Sequence, residues 1–488
     1  MARTIIIGAH VLDGSGAPAH QVDVAFAEGV IVTVGTVSPQ PDDIVIEAHG
    51  LTLAPGFIDV HTHDDLAVIV APEMTAKVTQ GVTTVVVGNC GISATTPFPS
   101  QAELPDPLVL LGPAAQFRYA DFTAYANAVE TARPATNVIA LVGHTAMRAR
   151  HMDRLDRAAQ QAEREAMRSE LAASLAAGAF GFSTGLAYAN ANAASTEEVM
   201  ALADALRDSG ALYCTHLRSE GAAIDEALDE AFAIARHGNA PVIVSHLKCA
   251  GAAQYGRSAA ILARMEAAAR QQSVACDCYP YSASSSTLDI KQVVPETPIR
   301  ITWSDPEPTQ AGRMLSEIAA DWAVDLKTAA SRLQPAGAVY HCMTEEDVDR
   351  ILSHPLTMIG SDGLPCDPQP HPRLWGSFAR VLGHYVRERA VLPLSKAVRK
   401  MTGLTADTLG LTDRGYVREG LAADLVLFDP AKIADCATYD DPQQTAAGIY
   451  GVWVNGVATV KAGSPTGRRG GAMLRRQSHS QQTEEMIK

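Results

Sequence analysis

GFIDVHTHDD, residues Gly56–Asp65, joins a short β-branched run to two histidines separated by one residue. In extended backbone, side chains alternate between faces, so His61 and His63 point to one side, an arrangement suited to a shared metal ion. Later segments repeat the pattern of a β-branched run ending on a metal-ligand residue: TTVVVGNC ends on Cys90, ALYCTH on His216, PVIVSH on His246 and TMIGSD on Asp362. Together they describe a metal site assembled at one rim of a barrel.

Working outward, the strand candidates are FIDVH, TTVVVG, NVIALVGH, AFGFSTG, LYCTH, PVIVSH, SVACDCY and TMIGSD. Helical stretches rich in Ala, Glu and Arg separate them, such as DRAAQQAEREAMRSELAASLAAG before FGFSTG. This repetition predicts an α/β fold, a (β/α)8 TIM-like barrel over residues 56–411, with the active site where the strands end. Residues 1–55 and 412–475 carry short alternating strands broken by Gly, Asp and Pro, and Asn455-Gly456 is a hairpin signal, so the two termini are expected to build one small β-sandwich. The connections after Cys90 and after Tyr281 are far longer than ordinary crossovers, and residues 282–343 are expected to form a lid over the site. From about Gly463 the chain turns polar and Gly/Arg-rich, which predicts fraying, with 476–488 a flexible tail. Strand parity makes further expectations. If His61 and His63 face inward, so do Phe57 and Asp59, and His246 and Lys248 share a face with Val242 and Val244. Ala275, Asp277 and Tyr279 share the opposite face from Cys276 and Cys278, which read as buried apolar thiols.

Composition narrows the function classes. The 488 residues are 47% hydrophobic and 19% charged, with a net charge of -15, enough for a large core and repulsive to phosphate backbones and anionic lipid, so neither nucleic acid nor membrane is expected as a partner. MARTIIIGAHVLDG is too weakly apolar for a signal peptide, and a cytoplasmic location is expected. Eight cysteines in so long a chain read as buried thiols rather than a disulfide framework. Cys90 is the exception, because zinc takes sulfur, nitrogen and carboxylate ligands, and Cys90, His216 and His246 make a three-ligand catalytic set. Asp362 is placed to manage protons. His144, at the end of NVIALVGH, is expected to hydrogen-bond, and His341 and His384 to be structural.

The HxH, His216, His246, Asp362 and the C-terminal EGLAADLVLFDP resemble the amidohydrolase superfamily. Within it, VVVGNCG, GFSTGLAY, SHLK, DCYPY, IGSDGLP and PHPRLWGSF resemble the N-acyl-D-amino-acid deacylases (D-aminoacylases), which use a cysteine where many relatives bridge two metals with a carbamylated lysine or a glutamate. The resemblance implies zinc-dependent hydrolysis of N-acyl-D-amino acids, a small-molecule substrate, to a carboxylate and a free D-amino acid. It implies one tightly bound zinc on Cys90, His216 and His246, and a second, weaker metal position where His61, His63 and Asp362 share Cys90. Asp362 would act as general base and then acid. Lys248, Tyr279 and Arg373 would clamp the substrate's α-carboxylate, Arg373 from a Pro-rich loop. Ser285 and Met343 would line the substrate pocket, Met343 suiting an apolar side chain and Lys291 an acidic one. A cyclic-amide hydrolase or deaminase on the same barrel, and a non-catalytic interaction protein on a hydrolase scaffold, remain the alternatives.

Overall fold

The computed structural model describes residues 3–98 and 103–476. All eight strands foreseen in the sequence form: β1 (Phe57–Asp59), β2 (Val82–Val87), β3 (Asn137–Gly143), β4 (Gly181–Gly185), β5 (Leu212–His216), β6 (Val242–Val244), β7 (Val274–Cys278) and β8 (Thr357–Ile359). They lie side by side in chain order, every neighbouring pair parallel. Helices such as Gln161–Ala176 and Ile224–His237 fill the crossovers. The sheet curls until β8 meets β1, and that seam is short. Thr62 bridges Gly363, the Asp362 N–H donates to the His61 carbonyl at 2.7 Å, and the His63 N–H donates to the Gly363 carbonyl at 3.0 Å. The result is the (β/α)8 barrel expected from the period of the apolar runs.

Side-chain direction departs from the expected alternation in two strands. The cluster inside the barrel takes Ile58, Val60, Val86, Ile139, Leu141, Leu212, Cys214, Ile243, Ala275 and Met358. Phe57, Val242 and Val244 instead pack outward with the helices, Phe57 stacking on Phe378 with ring centroids 5.9 Å apart. The two-residue period holds only inside a strand. Here β1 ends at Asp59 after an irregular pairing at Phe57/Ile58, and β6 ends at Val244, with His246 beyond it at a φ of 36°. In β7 the alternation survives: Ala275 faces in, while Cys276 and Cys278 lie among the helices. Burial pushes the Cys276 thiol up to about 12.

Strands from both chain ends form two further sheets. One orders Val30–Gly35, Asp23–Ala27, Thr4–Ile7 and Ile44–Glu47; in the other, Thr52–Pro55 lies antiparallel beside Leu425–Phe428. Ile6, Val24, Phe26, Leu53, Leu425 and Trp453 share one apolar cluster between them. Asn455 and Gly456, at φ of 46° and 74°, make the two-residue turn of the hairpin Ile449–Val454/Val457–Lys461. Between β7 and β8, strands Ser284–Thr287, Ile299–Ser304 and Ala336–Tyr340 form an antiparallel sheet with its own core.

The segment from Gly463 to Arg476 does not fray. Ala472 and Leu474 hydrogen-bond the backbone of Val138, at 2.9 and 2.8 Å, and Met473 is buried beside it. Arg476 N–H donates to the Gly178 carbonyl at 3.0 Å. Three consecutive apolar residues, Ala472-Met473-Leu474, outweigh the polar composition around them. The tail expected at 476–488 otherwise lies outside the described residues.

Candidate metal centre and the cavity above it

Three of the residues foreseen as ligands stand in left-handed backbone: Cys90 at φ 53°, His246 at 36° and Asp362 at 49°. Each such residue costs on the order of 1 kcal/mol and persists only where its surroundings enforce it. Around Cys90 the enforcement is visible. A Cβ on Gly88 would sit 2.2 Å from the Leu141 carbonyl oxygen, and one on Gly185 would sit 2.1 Å from that of Cys90, so the loop lies backbone against backbone on β3 and β4. The Asp65 carboxylate accepts from the N–H groups of Gly88 and Ala94 at 3.2 and 3.3 Å. The Ser183 hydroxyl accepts from Gly91 N–H at 3.1 Å and donates to the Gly88 carbonyl.

This backbone carries the Cys90 Sγ to 3.2 Å from His61 Nε2 and 3.4 Å from His246 Nε2. Asp362 Oδ1 lies 3.5 Å from His61 Nε2 and 3.2 Å from His63 Nε2. The donor atoms of His61, Cys90, His246 and Asp362 all fall within 4.8 Å of one another. The His216 ring stands edge-on to His246, centroids 4.5 Å apart, and its Nδ1 is buried with no hydrogen-bond partner among the described residues. Behind the imidazoles stand two carboxylates: Asp277 Oδ2 at 3.3 Å from His61 Nδ1, and Glu220 Oε1 at 2.9 Å from His246 Nδ1. A carboxylate on the far nitrogen is the usual means of orienting a metal-binding imidazole. Asp277 is legible in the parity of β7, whereas Glu220 was not foreseen; its only sequence signal is the i+4 spacing from His216 in THLRSE.

Electrostatics fit a cation. Burial raises the Cys90 thiol, but His61 and His246 beside it hold it well below its ordinary value, the direction that suits a metal ligand. Asp362, although buried, is held well below the usual carboxylate range by Arg373 and His246. Burial disfavours charge on His63, yet Asp362 and Cys90 push it up to about 9; Glu220 and Cys90 do the same for His246 against burial and Lys248. Protons on the imidazoles thus meet a demand for positive charge that a metal ion would meet through the same atoms. Sulfur, nitrogen and oxygen donors together suit zinc. His216, Glu220 and His246 also converge, but there Lys248 Nζ, 2.5 Å from Glu220 Oε1 and 2.8 Å from His246 Nδ1, already supplies the charge.

A cavity of ≈ 640 Å³ opens above these groups, floored by His216, His246, Lys248 and Asp362 and roofed by Ser284–Leu288 and Tyr340. Beside Lys248, Tyr279 lies between two cations, Arg373 at 4.6 Å and Lys248 at 5.8 Å from its ring centroid. The Tyr279 hydroxyl, Ser285 Oγ and Arg373 Nε are buried with no hydrogen-bond partner among the described residues. Arg373 is not in a surface loop: it opens the helix Arg373–Arg380 and is 1% exposed. Its Nη1 lies 2.9 Å from Asp362 Oδ2 as an ion pair, and Nη2 donates to the Ser285 carbonyl at 3.0 Å. Met343 and Tyr279 line a small void together with Lys248, and Met343, Tyr279 and Arg373 do not line the large cavity. Lys291 is exposed on the cavity wall. His144 hydrogen-bonds Glu198 at 3.1 Å, His384 meets Glu388 at 3.2 Å and His341 packs on Tyr439, all outside the donor cluster.

Residues 44–297 and 307–460 match the profile of the amidohydrolase family. An N-acyl-D-aspartate deacylase of Alcaligenes xylosoxydans xylosoxydans is 50% identical, over 93% of this chain and 91% of that one. A solved D-aminoacylase, described for a binuclear metal centre with one-metal activation and second-metal attenuation, superposes with a TM-score of 0.94 at 46% identity, covering 97% of this chain and 99% of that one. The N-acyl-D-glutamate deacylase of Bordetella bronchiseptica, complexed with zinc and a phosphonate mimic of the tetrahedral intermediate, superposes at 0.92 with 44% identity, covering 97% and 99%.

Proposed function

Because this chain belongs to the amidohydrolase family and, within it, to the N-acyl-D-amino-acid deacylases, we propose that it hydrolyses N-acyl-D-amino acids with acidic side chains, using zinc held by Cys90, His216 and His246. A second, weaker metal position would take His61, His63 and Asp362 and share Cys90. The observation that carries this reading is a sulfur–imidazole–carboxylate donor set beside a cavity lined by His216, His246, Lys248 and Asp362, with the Tyr279 ring packed between Lys248 and Arg373. When bound, zinc would lower the pKa of water toward about 7 and polarise the acyl carbonyl.

The chain's own groups do the rest. Asp362 takes the proton of the attacking water and returns it to the leaving nitrogen as the amide C–N bond breaks. Lys248, Tyr279 and Arg373 grip the α-carboxylate and fix which face of Cα meets the attacking water, and hence D stereochemistry. Arg373 Nε, Tyr279 Oη and Ser285 Oγ have free hydrogen-bonding capacity for that purpose. Glu220 holds Lys248 and His246 in register. The choice of an acidic side chain rests on Lys291, a cation on the cavity wall.

Purified protein should contain zinc and cleave N-acetyl-D-Asp and N-acetyl-D-Glu faster than N-acetyl-D-Met, with the L-enantiomers inert. A metal-free, inactive protein would overturn the whole reading, whereas fastest cleavage of N-acetyl-D-Met would overturn only the side-chain assignment. Arg373→Met should lower kcat/KM by about 10²-fold, the scale of losing a charge-assisted pair to a substrate carboxylate (roughly 2–3 kcal/mol). A loss below threefold would remove Arg373 from the clamp.

A further inference from the structure

Lys77 is 1% exposed, in the short helix Thr75–Val78, and it is neither a proposed ligand nor in the cavity wall. Its ammonium meets four oxygens: Asp59 Oδ2 and Ser361 Oγ at 2.8 Å, Thr62 Oγ1 at 2.9 Å and Asp64 Oδ2 at 3.2 Å. Thr62 stands between His61 and His63, Asp64 follows His63, and Ser361 precedes Asp362. The contacts therefore straddle the seam between β1 and β8, where the backbone ladder is reduced to one bridge and a pair of hydrogen bonds. Side chains substitute for the missing ladder. Asp59 accepts from the Ser361 N–H at 2.8 Å and from its hydroxyl at 2.6 Å, and Thr62 Oγ1 donates to Asp64 Oδ2 at 2.9 Å.

We propose that Lys77, acting through Asp59, Thr62 and Ser361, is the positioning residue for one half of the metal centre: it sets the separation of His61 and His63 from Asp362, and so the strength of the second metal position. This rests on the metal reading above. The tight set, Cys90, His216 and His246, follows β2, β5 and β6, and none of the four oxygens around the Lys77 ammonium belongs to those strands. The physical consequence is asymmetric. A change at Lys77 loosens only the ligands that the seam holds, because β2 to β7 are joined by continuous ladders.

The test is zinc titration of the metal-stripped full chain, wild type against Lys77→Met, Ser361→Ala and Thr62→Val, by competition with a chromophoric chelator, with circular dichroism to establish folding. The first zinc equivalent should bind each variant as it binds wild type. The second should weaken about tenfold or more in Lys77→Met and about threefold or more in Ser361→Ala, within the 10–100-fold range of losing a group that orients metal ligands. If Lys77→Met does not fold, the two neutral variants decide. Unchanged second-site affinity in folded variants overturns the proposal, and so does equal weakening of both equivalents, which would mean a general role in stability. A wild-type chain that takes up no zinc overturns the metal reading itself, an outcome distinct from either.

Discussion

Asp362→Asn is expected to reduce turnover by about 10³-fold or more while one equivalent of zinc stays bound. The carboxylate lies among the proposed ligands and the clamp: His63 Nε2 at 3.2 Å, His61 Nε2 at 3.5 Å and Arg373 Nη1 at 2.9 Å. Asparagine keeps the shape, and the backbone bond that seats the residue, from its N–H to the His61 carbonyl, is untouched. What is lost is a group able to accept a proton, worth about 10²–10⁴ in rate for general acid–base catalysis. In the proposed assignment Cys90, His216 and His246 hold the tight zinc without this side chain, so metal analysis should return about one wild-type equivalent. Turnover within tenfold of wild type would remove Asp362 as the base. Turnover lost together with all zinc would make it a ligand of the tight site instead.

Cys90→Ala should act on the metal rather than on the proton. Its sulfur stands between His61 Nε2 and His246 Nε2, and it is the donor that both proposed positions share. Two imidazoles without the thiolate leave the tight site short of a charged ligand, and bound zinc should fall to about a tenth of wild type or less, losing a ligand being more severe than the 10–100-fold cost of losing an outer partner. Stability gives an independent reading. A metal held at about 1,000 times its dissociation constant contributes about 4 kcal/mol to folding, so a chelator should lower the Tm of wild type and leave that of Cys90→Ala unchanged. Cys276→Ala, which alters a thiol packed among the helices, should retain both zinc and the response to chelator. A Cys90→Ala protein with full zinc content would overturn the ligand assignment.

Much of the site was legible in the sequence because the chemistry of its parts is local. A β-branched run ending on His, Cys or Asp announces both a strand and a group at its C-terminal end, and the barrel then brings those ends to one rim. Cys276 and Cys278 could be set aside by parity alone, since β7 keeps its period to the end. Where the reading went astray, the period had stopped. His246 at φ 36° and Asp362 at φ 49° turn their side chains by a backbone conformation that residue type does not reveal, so Val242 and Val244 face the helices although His246 faces the site. Arg373 looked like a loop residue because His371-Pro372 precedes it, yet those residues open a buried helix. Glu220 was missed because a carboxylate in a polar stretch, RSEG, looks solvated until Lys248 and His246 fold against it.

Hydrophobic period and donor chemistry are properties of segments, so the architecture and the order of the candidate donors can be read along the chain. Which donors face one another cannot. That depends on left-handed residues at the rim, on glycines that let β3 and β4 take the Cys90 loop backbone to backbone, and on the buried Lys77 network closing the β1–β8 seam. These are contacts between segments far apart in sequence, and close packing, not local propensity, selects them.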